Sequence, residues 1–247
     1  MKQIVMFSGG ASSSYLAYLV VKEYGRENTI LLHTPTYAED PDADRFRAEV
    51  ADYLGMEITV QEDGRSLWEL IEENSVLPSF HIPYCTRILK IEQSRKFYKK
   101  LKEAGEDFVV HFGYGPEEWR RVQKQTIRFE KEGLKSRSMI FEKQINNEEL
   151  KRIIQEEWKI ELPITYRYLK HNNCIPCFKG GKGHFKQVAK YYPEQFKRAM
   201  TLEKDKESYV FKDCTLQDLW DEVQASKSQL TLFEGEDAWG IPCDCIY

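Results

Sequence analysis

Phe7-Ser-Gly-Gly-Ala-Ser-Ser-Ser14 stands between an apolar run, Ile4–Phe7, and an amphipathic stretch, Ser13–Glu23. A short apolar run that ends in Gly-rich turn residues and passes into a helical pattern reads as a β-strand, a tight turn and an α-helix. The alternation continues downstream. Thr29–His33, Glu57–Gln61 and Phe108–Phe112 read as strands, and Asp42–Leu54, Arg65–Glu73 and Thr86–Ala104 as helices. Gly25, Gly55 and Gly105 fall where helices should stop, as C-terminal caps do. Strands separated by single helices cannot be joined as hairpins, so the pattern predicts βαβ units and an α/β fold. The expected core is a doubly wound, mostly parallel five-stranded sheet, with Met139–Glu142 as the fifth strand.

The rest of the chain reads differently. Asn147–Trp158 is helical, with Asn-Asn-Glu-Glu supplying a cap and an acidic first turn, and from Pro163 the chain is aromatic-rich. Cys174-Ile-Pro-Cys177 and a glycine-lysine loop, Lys179–Gly183, follow. Helices are then expected at Phe185–Tyr191, Pro193–Lys206 and Leu216–Glu222. The expected division is an α/β domain at 1–145 and a helical, cysteine-bearing C-terminal subdomain at 146–247. No internal repeat or linker-like stretch is evident.

Of 247 residues, 41% are hydrophobic and 31% charged, which excludes disordered, collagen-like and membrane-embedded classes. The longest apolar run, Tyr15–Val21, is far short of the roughly 20 residues that span a bilayer. The N-terminus lacks a signal-peptide pattern, so a soluble, cytoplasmic protein is expected. The net charge of −4 does not favour non-specific binding to bulk nucleic acid. Six cysteines in such a chain point to metal or redox use rather than a disulfide framework.

Two glycines let the backbone of Ser8, Gly9 and Gly10 curl so that successive N–H groups converge. Ser12 and Ser13 add hydroxyls, and the helix N-terminus adds partial positive charge. Such a turn cradles phosphate; its plainer reading is a βα turn with a serine cap. It is neither a Walker loop nor the spaced-glycine dinucleotide fingerprint. Arg87 and Lys90, beside Cys85, are placed to hold an anion or simply to be solvated. Arg120 and Arg121 follow Glu117-Glu118, with which they can pair. Lys179, Lys182 and His184 join charge to a glycine-rich turn. His33 and His111 end strands and read as core or rim residues, and Tyr166, Tyr168, Tyr191 and Tyr192 read as core.

Ser8-Gly-Gly-Ala-Ser-Ser13 resembles the pyrophosphate loop, Ser-Gly-Gly-x-Asp-Ser, of the adenine nucleotide alpha-hydrolase and ATP pyrophosphatase superfamily. The chain is most similar to its phosphoadenosine phosphosulfate (PAPS) reductase family. Further segments match in order: Thr34–Pro41 with Asp44-Arg-Phe46, Cys85-Thr-Arg-Ile-Leu-Lys90, Gly113–Arg121, and Asn172–Cys177 with its glycine-lysine loop. The last also resembles the cysteine segments of iron–sulfur members and of phage and DNA-phosphorothioation proteins. The loop's usual Asp is Ser12 here; that carboxylate helps hold Mg²⁺ in ATP pyrophosphatases.

The resemblance implies binding of an adenine nucleotide (ATP, PAPS or adenosine phosphosulfate), with Mg²⁺ as an optional companion. The implied contacts are Ser8, Gly9, Gly10, Ser12, Ser13, Thr34, Arg87, Gly113, Arg120 and Lys182. It also implies catalytic roles for Cys85, Lys90, Arg121 and Cys245. Asp244-Cys245-Ile-Tyr247 is similar to the family's C-terminal Glu-Cys-Gly nucleophile, without the Gly. By the same resemblance, Cys85, Cys174 and Cys177 would ligate a [4Fe-4S] cluster, with Cys243 as a fourth thiolate. Cys174-x-x-Cys177 with Cys243-x-Cys245 would instead make a zinc site. The implied function is sulfonucleotide reduction, or nucleotide-dependent sulfur transfer to a nucleic acid or a small molecule. The alternatives are a non-catalytic nucleotide-binding partner protein and a zinc-stabilised nucleic-acid-modifying enzyme. Expected partners are the nucleotide and a nucleic acid or thiol-donor protein; a homodimer is allowed and a membrane is not expected.

Overall fold

In the computed structural model, which describes residues 1–228, the elements run in order β1 (Lys2–Met6), α1 (Ala11–Tyr24), β2 (Thr29–His33), α2 (Asp42–Leu54), β3 (Ile58–Val60), α3 (Leu67–Glu73) and α4 (Tyr84–Thr86). A π-helical turn, Arg87–Ile91, leads into α5 (Glu92–Glu103). Then come β4 (Phe108–His111), α6 (Trp119–Lys131), β5 (Lys135–Arg137), α7 (Met139–Glu142), α8 (Asn147–Arg152), α9 (Lys182–Tyr191), α10 (Pro193–Asp205) and α11 (Leu216–Ser228). The chain forms two compact units. One comprises 1–35, 41–63 and 90–164; the other comprises, among the described residues, 36–40, 64–89 and 165–228.

The first unit is built on a five-stranded sheet of order β3-β2-β1-β4-β5, parallel throughout. Helices cover both of its faces, as strand alternation shows. Phe108 and Phe112 turn toward Tyr98 of α5 and Phe129 of α6, whereas His111, of opposite parity, faces Tyr24 of α1. Strands enclosed in this way need apolar side chains on both faces, which is why Ile4–Phe7 is a continuous hydrophobic run with no alternation.

Two sequence expectations are corrected. Met139–Glu142 is not a strand but the helical turn α7, which buries Met139 and Ile140. The fifth strand is Lys135–Arg137, a polar edge strand whose charged side chains hide it from a search for apolar runs. The stretch read as one helix, Thr86–Ala104, is broken by the π-helical turn. Asp42 is the first residue of α2, as the sequence pattern places it, and its carboxylate accepts the Ile164 N–H at 2.7 Å. Asn146 caps α8 as expected, accepting from the Glu149 N–H.

The second unit buries an apolar core in which Trp68, Leu77, Tyr84, Ile175, Phe178, Phe185 and Phe196 meet. Phe185 meets Phe178, Phe196 and Phe211 edge-on at 6.1, 6.2 and 5.3 Å, while Phe196 stacks on Trp220.

Candidate functional site

The sheet order places β1 at a reversal: the chain runs outward from β1 to β2 and β3, then returns to lay β4 on its other side. Beyond the carboxyl ends of β1 and β4 such a sheet leaves a crevice, the usual ligand position in open α/β sheets. Ser8–Gly10 leaves the end of β1, and Phe112–Gly115 leaves the end of β4.

The loop is held by its own side chains. Gly9 has φ +83°, and Gly10 is the N-cap of α1 with no side-chain cap of its own. The hydroxyls of Ser13 and Ser14 donate to the Gly10 carbonyl at 2.9 and 3.1 Å, and Ser8 Oγ donates to Ser13 Oγ at 3.2 Å. Serines expected to be phosphate donors therefore brace the turn. The start of α1, with Gly10 as its N-cap, is the positive end of the helix, where backbone N–H groups suit an anion. Ser12 Oγ donates to Asn147 Oδ1 at 3.0 Å, and Asn147 in turn donates to Glu117. Gly113 abuts the same turn: a Cβ there would lie 3.1 Å from the backbone of Ser12 and Ser13. Two loops from strands distant in sequence thus meet backbone to backbone.

A residue that sequence reasoning missed completes the floor. Arg47 is 5% exposed, donates Nη1–H to the Ser8 carbonyl at 3.3 Å and pairs with Asp44. A Cβ on Gly9 would strike its side chain at 2.7 Å. The signal was present: a charged residue on the face of α2 that buries Phe46 and Val50. Asn147, also missed, was masked by its neighbour's role as a cap.

Around the mouth, Gly115 N–H donates to Glu118 Oε2 at 2.9 Å, and Glu118 pairs with Arg121. The Arg121 guanidinium lies 4.7 Å from the buried Tyr114 ring. Arg121 is thus half-buried and preset, whereas Arg120 is exposed, 5.2 Å from the Trp119 ring. Thr34 is buried just past β2 and Lys90 is buried in the same unit. Arg87 is exposed and belongs to the second unit.

Residues 2–113 match the model of the phosphoadenosine phosphosulfate reductase domain family. Over this span the chain is similar to the PAPS reductase domain. The match ends at Gly113, the residue that touches the loop after β1, so it takes in both sides of the crevice. No curated protein matches the chain. Members of the PAPS reductase family are generally enzymes, and an adenine nucleotide is the ligand the family implies. Among the described residues no helix is long and apolar enough to cross a membrane.

In the second unit Cys174 is buried, its Sγ 3.0 Å from Thr36 Oγ1, while the Thr36 hydroxyl donates to Glu39 Oε1 at 2.6 Å. Ile175 N–H donates to the Ala38 carbonyl at 2.7 Å, so residues 36–40 clamp the first cysteine of the pair. Cys177 N–H donates to His184 Nε2 at 3.0 Å. Burial, with His171 nearby, pushes the His184 pKa down to about 4, so the ring stays neutral and can accept. Gly180 is required beside it, because a Cβ there would meet the imidazole at 2.5 Å. Lys182 pairs with Asp213 at 2.6 Å, which raises its pKa and offsets its charge.

Cys85 is half-buried against the core of this unit, as is Cys214, whose thiol burial pushes up. Among the described residues no group of three or more His, Cys, Asp or Glu side chains is placed to hold a metal ion. Cys85, Cys174 and Cys177 therefore do not by themselves fit an iron–sulfur or zinc centre. Cys243 and Cys245 lie outside the described residues.

Proposed function

We propose that the chain is a sulfonucleotide-acting enzyme, with the crevice at the ends of β1 and β4 as its nucleotide site. The observation that carries this reading is the Ser8–Ser14 turn, braced by its own hydroxyls so that the N-terminus of α1 faces the crevice. Backbone N–H groups would bind the phosphate, Arg121 would neutralise it from the first turn of α6, and buried Arg47 would hold the floor rigid. A sulfonucleotide is favoured over Mg²⁺-ATP because the loop carries no carboxylate and the Ser12 hydroxyl is engaged by Asn147. ATP and Mg²⁺, with sulfur transfer to a nucleic acid or small molecule, form the second reading.

The chemistry is thiolate attack. A cysteine thiolate, assigned to Cys245, bonds to the sulfur of the sulfate group as the S–O bond to phosphate breaks. The electron pair leaves on the adenosine phosphate. A second thiol then displaces sulfite, giving a disulfide; two thiols are oxidised and sulfur is reduced by two electrons. Lys90 and Cys85 are the further catalytic assignments from family resemblance, and no step is assigned to a metal.

The test is sulfite release from PAPS and from adenosine phosphosulfate with dithiothreitol as the thiol donor. Sulfite should appear in step with adenosine phosphate, and Cys245→Ser should abolish it. Ser12→Asp should change the rate. Nucleotide binding without sulfite from either substrate would leave the chain a binder, and the enzyme reading would fall.

A further inference from the structure

Two neighbouring helices carry the largest surplus of positive charge in the α/β unit. α5 and α6 together carry ten Lys and Arg against three acids (Glu92, Glu103 and Glu130), a surplus of seven in a chain of net charge −4. The helices lie side by side. Tyr98 of α5 packs on Phe129 of α6 at 6.2 Å, and Glu132, just past α6, takes both Arg95 and Arg128. The outer positions are exposed: Arg95, Lys96, Lys99, Lys100 and Lys102 on α5, and Arg120, Lys124 and Lys131 on α6. Arg120, Lys124 and Lys131 make no ion pair among the described residues.

These cations form a row with a direction. α6 starts immediately after the Gly115–Glu118 turn at the mouth of the crevice, and its 12 steps to Lys131 extend about 18 Å outward at ~1.5 Å per residue. At the crevice end stands Trp119, 51% exposed, with the Arg120 guanidinium beside its ring. Farther out, Lys124, Ile127, Arg128, Lys131 and Glu132 line a shallow groove of about 380 Å³.

We propose that this face binds the sugar–phosphate backbone of a nucleic-acid single strand, with Trp119 as a platform for a base next to the crevice. A line of cations in surplus over its carboxylates gains by releasing counterions from a polyanion, although Arg95, Lys99 and Arg128 each have a glutamate partner, and an exposed indole stacks on a base of any sequence. A lipid surface fits less well. Insertion needs an apolar helix face, and on these two helices the large exposed hydrophobic residues are Trp119 and Ile127. This inference does not depend on the sulfonucleotide reading, since the face lies outside the crevice.

The test is fluorescence anisotropy of the full chain with a labelled 20-nucleotide single strand between 50 and 200 mM NaCl. Binding should be on the order of micromolar at low salt and fall steeply with salt, each phosphate contact adding about −0.7 to the log–log slope. Lys99→Glu/Lys124→Glu/Lys131→Glu should weaken binding at least tenfold and reduce the slope by about 2, from ~0.7 per lost contact. Trp119→Ala should weaken it about tenfold. Adenine-nucleotide binding by the triple variant should be unchanged, which shows that the fold is intact. The proposal is overturned if no strand binds at 50 mM NaCl, if the triple variant binds like the parent, or if phosphatidylserine vesicles bind and the strand does not.

Discussion

Arg47→Ala destabilises the α/β unit by about 2–4 kcal/mol and costs it at least tenfold in nucleotide affinity. The first effect follows from burial. The side chain passes beneath Gly9, where a Cβ would already touch it at 2.7 Å, and its guanidinium satisfies the Ser8 carbonyl. Truncation opens a void under the turn and removes that donor. The second effect follows because the turn is then free to move off the geometry that aims its N–H groups. Arg47→Met separates the two: it restores most of the packing, hence most of the stability, but not the donor or the charge, so affinity stays low. Asp44→Asn is the control. The Asp44 side chain is 78% exposed, so its loss costs less than about 1 kcal/mol. Urea midpoints and titration calorimetry on the three variants read both effects; an Arg47→Ala midpoint equal to that of the parent contradicts the account.

Acid weakens the fold through buried histidines as well as carboxylates. His111 is fully buried on the α1 face of β4, its Nε2 2.8 Å from Gln3 Oε1, with Arg137 nearby. Burial first, and the Arg137 charge second, push its pKa down to about 4 from 6.5. The sign follows from proton counts. Between pH 6.5 and 4 the unfolded chain takes up this proton and the folded chain does not, so stability falls as pH falls across that window. The slope approaches about 1.4 kcal/mol per unit and the total by pH 4 is about 3 kcal/mol. His184 in the second unit has the same depressed value and adds the loss of its bond from Cys177 N–H once it is charged. His111→Gln removes one such contribution, so its urea midpoint changes less between pH 6.5 and 4.5 than that of the parent. The imidazole resonance of His111 titrates near 4 in the folded protein. Parallel pH profiles for parent and variant, or a resonance titrating near 6.5, contradict the assignment.

The reading of the sequence succeeds where one local pattern decides one element. Ile4–Phe7 followed by Ser-Gly-Gly has no reading besides strand and turn, and Thr29–His33 and Asp42–Leu54 match the observed boundaries. It fails at Lys135–Arg137, because an edge strand is defined by the neighbour it pairs with, not by its own hydropathy. The site divides in the same way. Ser8–Ser13 is visible as a turn, Gly113 enters only through the family resemblance, and the pairing of Glu118 with Arg121 is legible from spacing. Arg47 and Asn147 are not, since each reaches the loop from an element remote in sequence. The direction of the Ser13 and Ser14 hydroxyls was also hidden: whether a serine donates outward or braces its own turn depends on backbone geometry. The cysteines were the least legible, because ligand sets depend on convergence that spacing alone does not supply.

The most direct measurement is titration calorimetry of the full chain with adenosine 3′,5′-bisphosphate, the product nucleotide of the proposed reaction, repeated with Gly113→Ala. The added methyl would lie 3.1 Å from the backbone of Ser12 and Ser13 and push the two loops of the crevice apart. The account predicts saturable binding to the parent with Kd on the order of micromolar, and at least tenfold weaker binding to the variant, a change of about 1.4 kcal/mol or more. No saturable heat with the parent, or equal affinity in a folded Gly113→Ala variant, would place the nucleotide elsewhere and contradict the crevice assignment.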